Sequence, residues 1–447
     1  MQNEKDFSRL NELFNDPEPD LRQVLIVKNL VSAIVTQQMY VYEFILLNIQ
    51  HILEIGLEND EREEKNVRSG AMSIVTMKCG HFNSKLISNE DFLGYLSNFL
   101  RDFNAKKLES IKNWARVMSN CVLFSNGGIL VNFPERKLFF KRIIPFIHIG
   151  AIYSLLYQIT DDGHSIMNEF LEKTRASSQI FAFIGSNTKT ECIFQLLSNI
   201  VSSSDSESTL ITALAKQDRV DIIMSYVLTP QNGRVRDSAM KLVFELCSHC
   251  DTDECDEDSL FQTVFMKIVG KLNELSYFIE SKPYCYAQEK IIELMIGMVS
   301  ILPEVPPEIY TVLSVLWKRI WEFPLLSQSH CSLLKLFRVL IQTEGKCENI
   351  LESLRVKGRI IDAFADPVGN RMIIGYLFEI SKSIIESEEK SEYSPEWLLF
   401  IKGPYESMKS VIERGYGGEV PKKHKPALDE LNIEGNTFNT VQGFPSS

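Results

Sequence analysis

Several things are missing from this sequence, and each absence removes a class of function. No GxxxxGK[ST] or GxGxxG run occurs, so the common glycine-rich phosphate and dinucleotide cradles are excluded. Asn126-Gly127-Gly128 is too short to replace them. HExxH, GxSxG and DFG-type sets are also missing, which leaves no enzyme signature and no cofactor fingerprint. A basic surplus is lacking: 47 Lys and Arg face 59 Asp and Glu, a formal charge of −12. General binding to nucleic acid or an anionic membrane needs a basic face, so neither is expected as a partner. The nine cysteines are odd in number and show no paired spacing, which reads as reduced thiols in a cytoplasmic or nuclear protein. Met1 to Leu10 holds no apolar signal core. Ile143 to Thr160 is uncharged, but Pro145, His148, Ser154 and Gln158 interrupt it. A buried repeat helix fits this stretch better than a membrane span. No alternating strand pattern is found.

What is present is a series of apolar stripes at helical spacing. Ile149, Ile152, Leu155, Leu156 and Ile159 recur at steps of three and four, and so do Cys192, Ile193, Leu196, Leu197, Ile200 and Val201. Such a stripe must be buried against another element. Each one is followed, after a short polar gap, by the next, and helix pairs return at about 40 residues, the step of HEAT and armadillo repeats. The pattern predicts an all-α chain, an α-solenoid of HEAT/armadillo-like helical repeats.

Local signals mark the boundaries. Thr36-Gln37-Gln38 reads as a turn between a stripe starting at Asp20 and a second helix from Met39 to Ile55. A helix over Leu108 to Leu123 should stop at Ser125-Asn126-Gly127-Gly128. Pro145 should kink its helix or start a new one. Thr188 with Glu191 reads as a capping box. Asp218 reads as the N-cap of a helix carrying Val220, Ile223, Met224 and Val227, with Asp221 in its first turn. Leu260 to Phe278 reads as one helix. Residues 1–19 form a polar N-terminal segment, 20–415 the repeat domain, and 416–447 a polar tail expected to be disordered.

Few residues invite a chemical role. Cys247-Ser248-His249-Cys250, with Cys255 beyond, lacks the second ligand pair that a structural zinc site uses, so no metal is expected. His148 lies among apolar residues and reads as a hydrogen-bonded core histidine. Trp317, Trp321 and Phe323 read as ordinary aromatic packing.

Three stretches carry a family resemblance: Gln37-Gln38-Met39 between two helices, His148-Ile149-Gly150 leading into an apolar helix, and Leu210 to Val220 closing on Tyr226-Val227-Leu228. In this order and at this separation they resemble the SAPS-domain proteins, regulatory subunits of protein phosphatase 6, a type-2A-like phosphatase. The resemblance implies a non-catalytic scaffold that binds the phosphatase catalytic subunit, together with further scaffold subunits, and directs it to substrates. In that reading the inter-helix turn at Gln217 and Arg219 is the candidate partner-binding edge. The chain departs from the family pattern at Ser154, where an aspartate is usual. It also lacks the family's aromatic start and its long acidic extension. A helical-repeat adaptor for transport or trafficking, unrelated to phosphatases, is the alternative reading.

Overall fold

The computed structural model describes residues 7–58, 63–161, 165–185, 189–205, 208–228, 232–248, 260–281, 283–302, 304–343, 348–387 and 393–413. Among them every regular element is helical. They fall into two compact units, Met1–Lys346 and Cys347–Ser447. The tail 416–447 lies outside the described residues, as do His249, Cys250, Cys255 and Thr188.

In the first unit the helices form two ladders. Ile49–Glu58, Leu108–Phe124, Gly150–Asp161, Thr190–Ser203, Gly233–Ser248, Tyr286–Ile301 and Ser327–Gln342 each pack on the next. A second layer runs beside them, with Glu90–Arg101 on Phe139–Ile143, then Ala176–Phe181, then Thr209–Leu214. It resumes with Gln217–Leu228, Leu272–Ser281 and Pro307–Glu322. Side-chain hydrogen bonds show the same register. Ser119 to Gln158 spans 39 residues, Tyr153 to Gln195 spans 42, Arg219 to Ser178 spans 41 and Arg319 to Ile279 spans 40. Each bond reaches one repeat back or forward, as a solenoid requires when each repeat buries its apolar face only on its neighbours.

The stripes are the reason. Ile193, Leu196, Leu197, Ile200 and Val201 are all buried, and Thr190–Ser203 is covered on nearly all of its C-terminal half. Trp114 is fully buried, donates its indole N–H to the Leu96 carbonyl at 2.9 Å and meets Phe103 edge-on at 4.9 Å. One ring thereby joins Leu108–Phe124 to Glu90–Arg101 through apolar area and a satisfied donor together.

The expected punctuation is present in part. Leu108–Phe124 ends at Ser125, with Asn126 and Gly127 at positive φ. The Gly127 N–H reaches the Val122 carbonyl and the Asn126 N–H the Leu123 carbonyl, the paired bonds of a Schellman stop. Gln37, also at positive φ, makes the same stop after Leu30–Val35. Pro145 sits in the 3₁₀ turn Ile144–Phe146 and separates Phe139–Ile143 from Gly150–Asp161, as its missing N–H predicts. Among the described residues no helix is long and apolar enough to cross a membrane.

Other boundaries differ from the sequence reading. Met39 to Ile55 is two helices, Met39–Leu47 and Ile49–Glu58. Asn48 breaks the run because its side-chain amide donates to the Phe44 carbonyl at 2.9 Å, competing with the helix ladder. Leu260 to Phe278 is also two helices, Leu260–Val269 and Leu272–Ser281, separated at Gly270 and Lys271. The helix Thr190–Ser203 has Lys189 at its N-cap with no side-chain cap bond, so the start expected from Thr188 is displaced by one residue. His148 is exposed rather than a core histidine, because the turn after Ile147 points it away from the flanking Ile147 and Ile149, which are buried.

The second unit packs Val356–Ala365, Ile374–Ser387 and Pro395–Phe400 around aromatic rings. Trp397 stacks on Phe400 at 4.8 Å, Phe400 meets Phe364 edge-on at 5.0 Å, and Phe378 stacks on Tyr405 at 4.9 Å.

Candidate protein-interaction surface

The first ladder keeps one face outside the core, where polar and aromatic side chains link neighbouring rungs. The Ser119 hydroxyl donates to Gln158 Oε1 at 2.5 Å, and the Gln158 amide returns a bond to the Ser119 carbonyl at 3.3 Å. Tyr153 donates through its hydroxyl to Gln195 Oε1 at 2.7 Å on the next rung. Two rungs further along, Lys290 stands over the Phe244 ring at 4.5 Å and pairs with Glu293 at 2.6 Å. Lys335 of the following helix reaches the same carboxylate at 3.4 Å. Burial alone would raise the Glu293 carboxyl. The hydrogen bond from Lys290 and the charges of Lys290 and Lys335 outweigh it and hold the group below the ordinary carboxylate range. Arg116, Tyr157 and Arg338 are exposed on these same helices. The result is two bridged groups on successive rungs, one of phenol and amide and one of paired charge. Such a face suits a protein surface, where aromatic and arginine anchors carry most binding energy.

The turn singled out from sequence is built differently from the expectation. The helix begins at Gln217, so Asp218 lies in its first turn and is not the N-cap. Asp221, expected to answer the helix dipole, instead pairs with Lys267 at 2.7 Å. Gln217 is exposed, and its carbonyl accepts from the Lys267 ammonium at 2.8 Å. Arg219 is turned inward and half-buried: it donates to Ser178 Oγ at 3.2 Å and lies over the Phe181 ring at 5.0 Å. Burial pulls its pKa below the ordinary guanidinium value. Gln217 and Arg219 thus share a helical turn, the first exposed and the second half-buried. Lys267 splices this turn to the following repeat, and Arg219 splices it to the preceding one.

The remaining sequence candidates resolve simply. Trp317 is buried and meets Trp321 edge-on at 5.6 Å, while Phe323 is exposed beyond the helix end. Cys247 is half-buried at the end of Gly233–Ser248. No group of metal-ligating side chains is gathered among the described residues. The bridging residues Tyr153, Gln195, Lys290 and Glu293 escaped the sequence reading. Their only signal is a polar side chain set beside an apolar stripe, and it becomes legible once the helices are aligned in repeat register.

The fold and this face define the class: an all-α helical-repeat solenoid. No protein-family model matches the chain, and no curated protein matches it. Among solved structures, the crystal structure of an engineered protein from the Northeast Structural Genomics Consortium is similar to it at a TM-score of 0.45 and 11% identity. The match covers 89% of this chain and 98% of that one.

Proposed function

We propose that the chain is a non-catalytic regulatory scaffold. Its first ladder face holds the catalytic subunit of a type-2A-like, phosphatase 6-class enzyme and directs it to substrates in the cytoplasm. The observation that carries the scaffold reading is the set of side chains from Arg116 through Tyr153 and Tyr157 to Lys290 and Arg338. Bridging bonds hold Tyr153 and Lys290 in place before any partner arrives, which lowers the ordering cost of binding, and Arg116, Tyr157 and Arg338 stand exposed beside them. The choice of partner rests on the sequence resemblance at Gln37 to Met39, His148 to Gly150 and Leu210 to Leu228.

The test uses the full chain, immobilised, with purified phosphatase 6-type catalytic subunit in solution. Wild type should retain the subunit. The double substitution Arg116→Glu with Tyr157→Ala should lose it at least tenfold with melting unchanged, because neither residue bridges to another rung. Retention unaffected by that pair would remove this face from the interface. No retention by wild type refutes the phosphatase partner. Selective capture of purified transport or coat components by the same face would then establish the adaptor reading in its place.

A further inference from the structure

A different part of the molecule carries charge of the opposite sign to the whole. On a chain of net charge −12, a cleft of about 670 Å³ is lined by Lys137, Lys141, Lys173 and Arg175, with Ser178 and Gln179 at its base. These residues come from consecutive repeats. Gln179 draws them together: its Oε1 accepts from the Lys141 backbone N–H at 2.9 Å, and its Nε2 donates to the Lys137 carbonyl at 2.7 Å and the Thr174 carbonyl at 2.6 Å. Arg175 occupies the left-handed turn, φ 52°, between Ser165–Thr174 and Ala176–Phe181. That conformation is unfavourable for a residue with a Cβ and is held by the structure around it.

The charges are largely uncompensated. Lys173 pairs with Glu169, whereas Lys137, Lys141 and Arg175 are exposed and make no ion pair among the described residues. Like charges gathered in a concave surface focus the field and attract an anion. The floor is also prepared. Ser178 Oγ accepts from Arg219 at 3.2 Å, so its own O–H remains a donor and a second cation stands beside it. An arginine fork, lysine point charges and a hydroxyl donor are the set that recognises a phosphoryl group.

We propose that this cleft is a docking site for a phosphorylated, acidic segment of a partner protein. The half-open cleft has room for one phosphoryl side chain with its flanking residues. An extended nucleic acid would need a longer basic track with several stacking rings, whereas a single ring, Phe183, lines this cleft, and a membrane surface would need a flat or protruding face. This inference stands apart from the phosphatase reading, since it uses neither the ladder face nor the catalytic subunit.

The experiment is fluorescence anisotropy of the full chain with a labelled phosphoserine peptide flanked by Asp and Glu. The comparisons are its unphosphorylated form, inorganic phosphate as competitor and a single-stranded RNA of equal charge. The phosphopeptide should bind at least tenfold tighter than the unphosphorylated peptide. Lys137→Glu with Lys141→Glu should weaken it at least tenfold while the melting temperature stays unchanged, and Arg175→Ala should weaken it severalfold. Equal binding of the two peptides, or affinity unmoved by both variants, overturns the proposal. Competition by inorganic phosphate as strong as by unlabelled phosphopeptide shows that the cleft reads an ion and not a segment. Tighter binding of the RNA reassigns the cleft to nucleic acid. Both of these results overturn the proposal as stated.

Discussion

Replacing Arg319 by alanine should unfasten three helices at once. Its side chain is buried, 7% exposed, on Pro307–Glu322. Nη1 donates to Gln288 Oε1 at 3.1 Å, and Nη2 donates to the Ile279 carbonyl. Gln288, fully buried, donates in turn to the Phe278 carbonyl at 3.1 Å. Phe278 and Ile279 lie in the last turn of Leu272–Ser281, where carbonyls have no partner within their own helix. The clamp therefore caps one helix end with side chains from the next two helices. Alanine at 319 deprives the Ile279 carbonyl and Gln288 Oε1 of a charged donor, at about 1–3 kcal/mol for each buried group left unmatched. Burial pulls the Arg319 pKa down, so removing the charge also relieves some desolvation. A net loss of about 2–4 kcal/mol is expected after this offset. Arg319→Lys should lose most of the same amount, because a single ammonium lacks the planar fork that meets both acceptors. The assay is urea unfolding by circular dichroism with a double-mutant cycle against Gln288→Ala, joined to amide exchange in Leu272–Ser281. Expected are a coupling of about 1 kcal/mol or more and faster exchange at that helix end. A loss below about 0.5 kcal/mol for Arg319→Ala, or strict additivity with Gln288→Ala, would refute the clamp.

Two further perturbations test the packing. At Gly70 an added Cβ would lie 2.0 Å from the Leu25 carbonyl oxygen, where Leu21–Leu25 crosses Lys65–Val75. Gly70→Ala should therefore destabilise by about 1–3 kcal/mol instead of giving the usual helical gain, and an unchanged or higher urea midpoint would contradict this close approach. His330 is 1% exposed, with Nε2 at 3.1 Å from the Phe323 carbonyl, and burial lowers its pKa despite that bond. Its folded value thus lies below the unfolded value of about 6.5, so the unfolded chain takes up the proton first as pH falls. Stability from this group is intact above pH of about 6.5 and declines as pH falls below it, until the folded pKa is passed. Melting of wild type should drop more between pH 7.5 and 5 than melting of His330→Gln. A difference between the two that stays constant with pH would exclude this linkage.

The sequence by itself determined the helical stripes and some of their ends. Hydrogen bonding in a helix closes within four residues, so the stripe from Cys192 to Val201 and the stop at Asn126-Gly127 are written locally. The lack of an N–H at Pro145 is equally local, and the repeat step follows from the spacing of the stripes. Tertiary structure decided which side chains meet. Asn48 ends a helix because its amide turns back on Phe44, a choice that the apolar run from Met39 to Ile55 does not reveal. Asp218 was legible as a capping residue type, yet the helix begins at Gln217, two residues earlier than that cap implies, and Asp221 is taken by Lys267 from 46 residues away. Arg219 resembled an edge residue, but its partner Ser178 lies one repeat back, and packing half-buries the side chain over Phe181. The cleft of Lys137, Lys141, Lys173 and Arg175 is gathered from consecutive repeats, where Phe139–Ile143 packs on Ala176–Phe181 and Gln179 bonds across. Local bonding chooses helix and turn, whereas contact between residues about 40 positions apart depends on how one repeat lies against the next, and that is settled by the packing of whole faces.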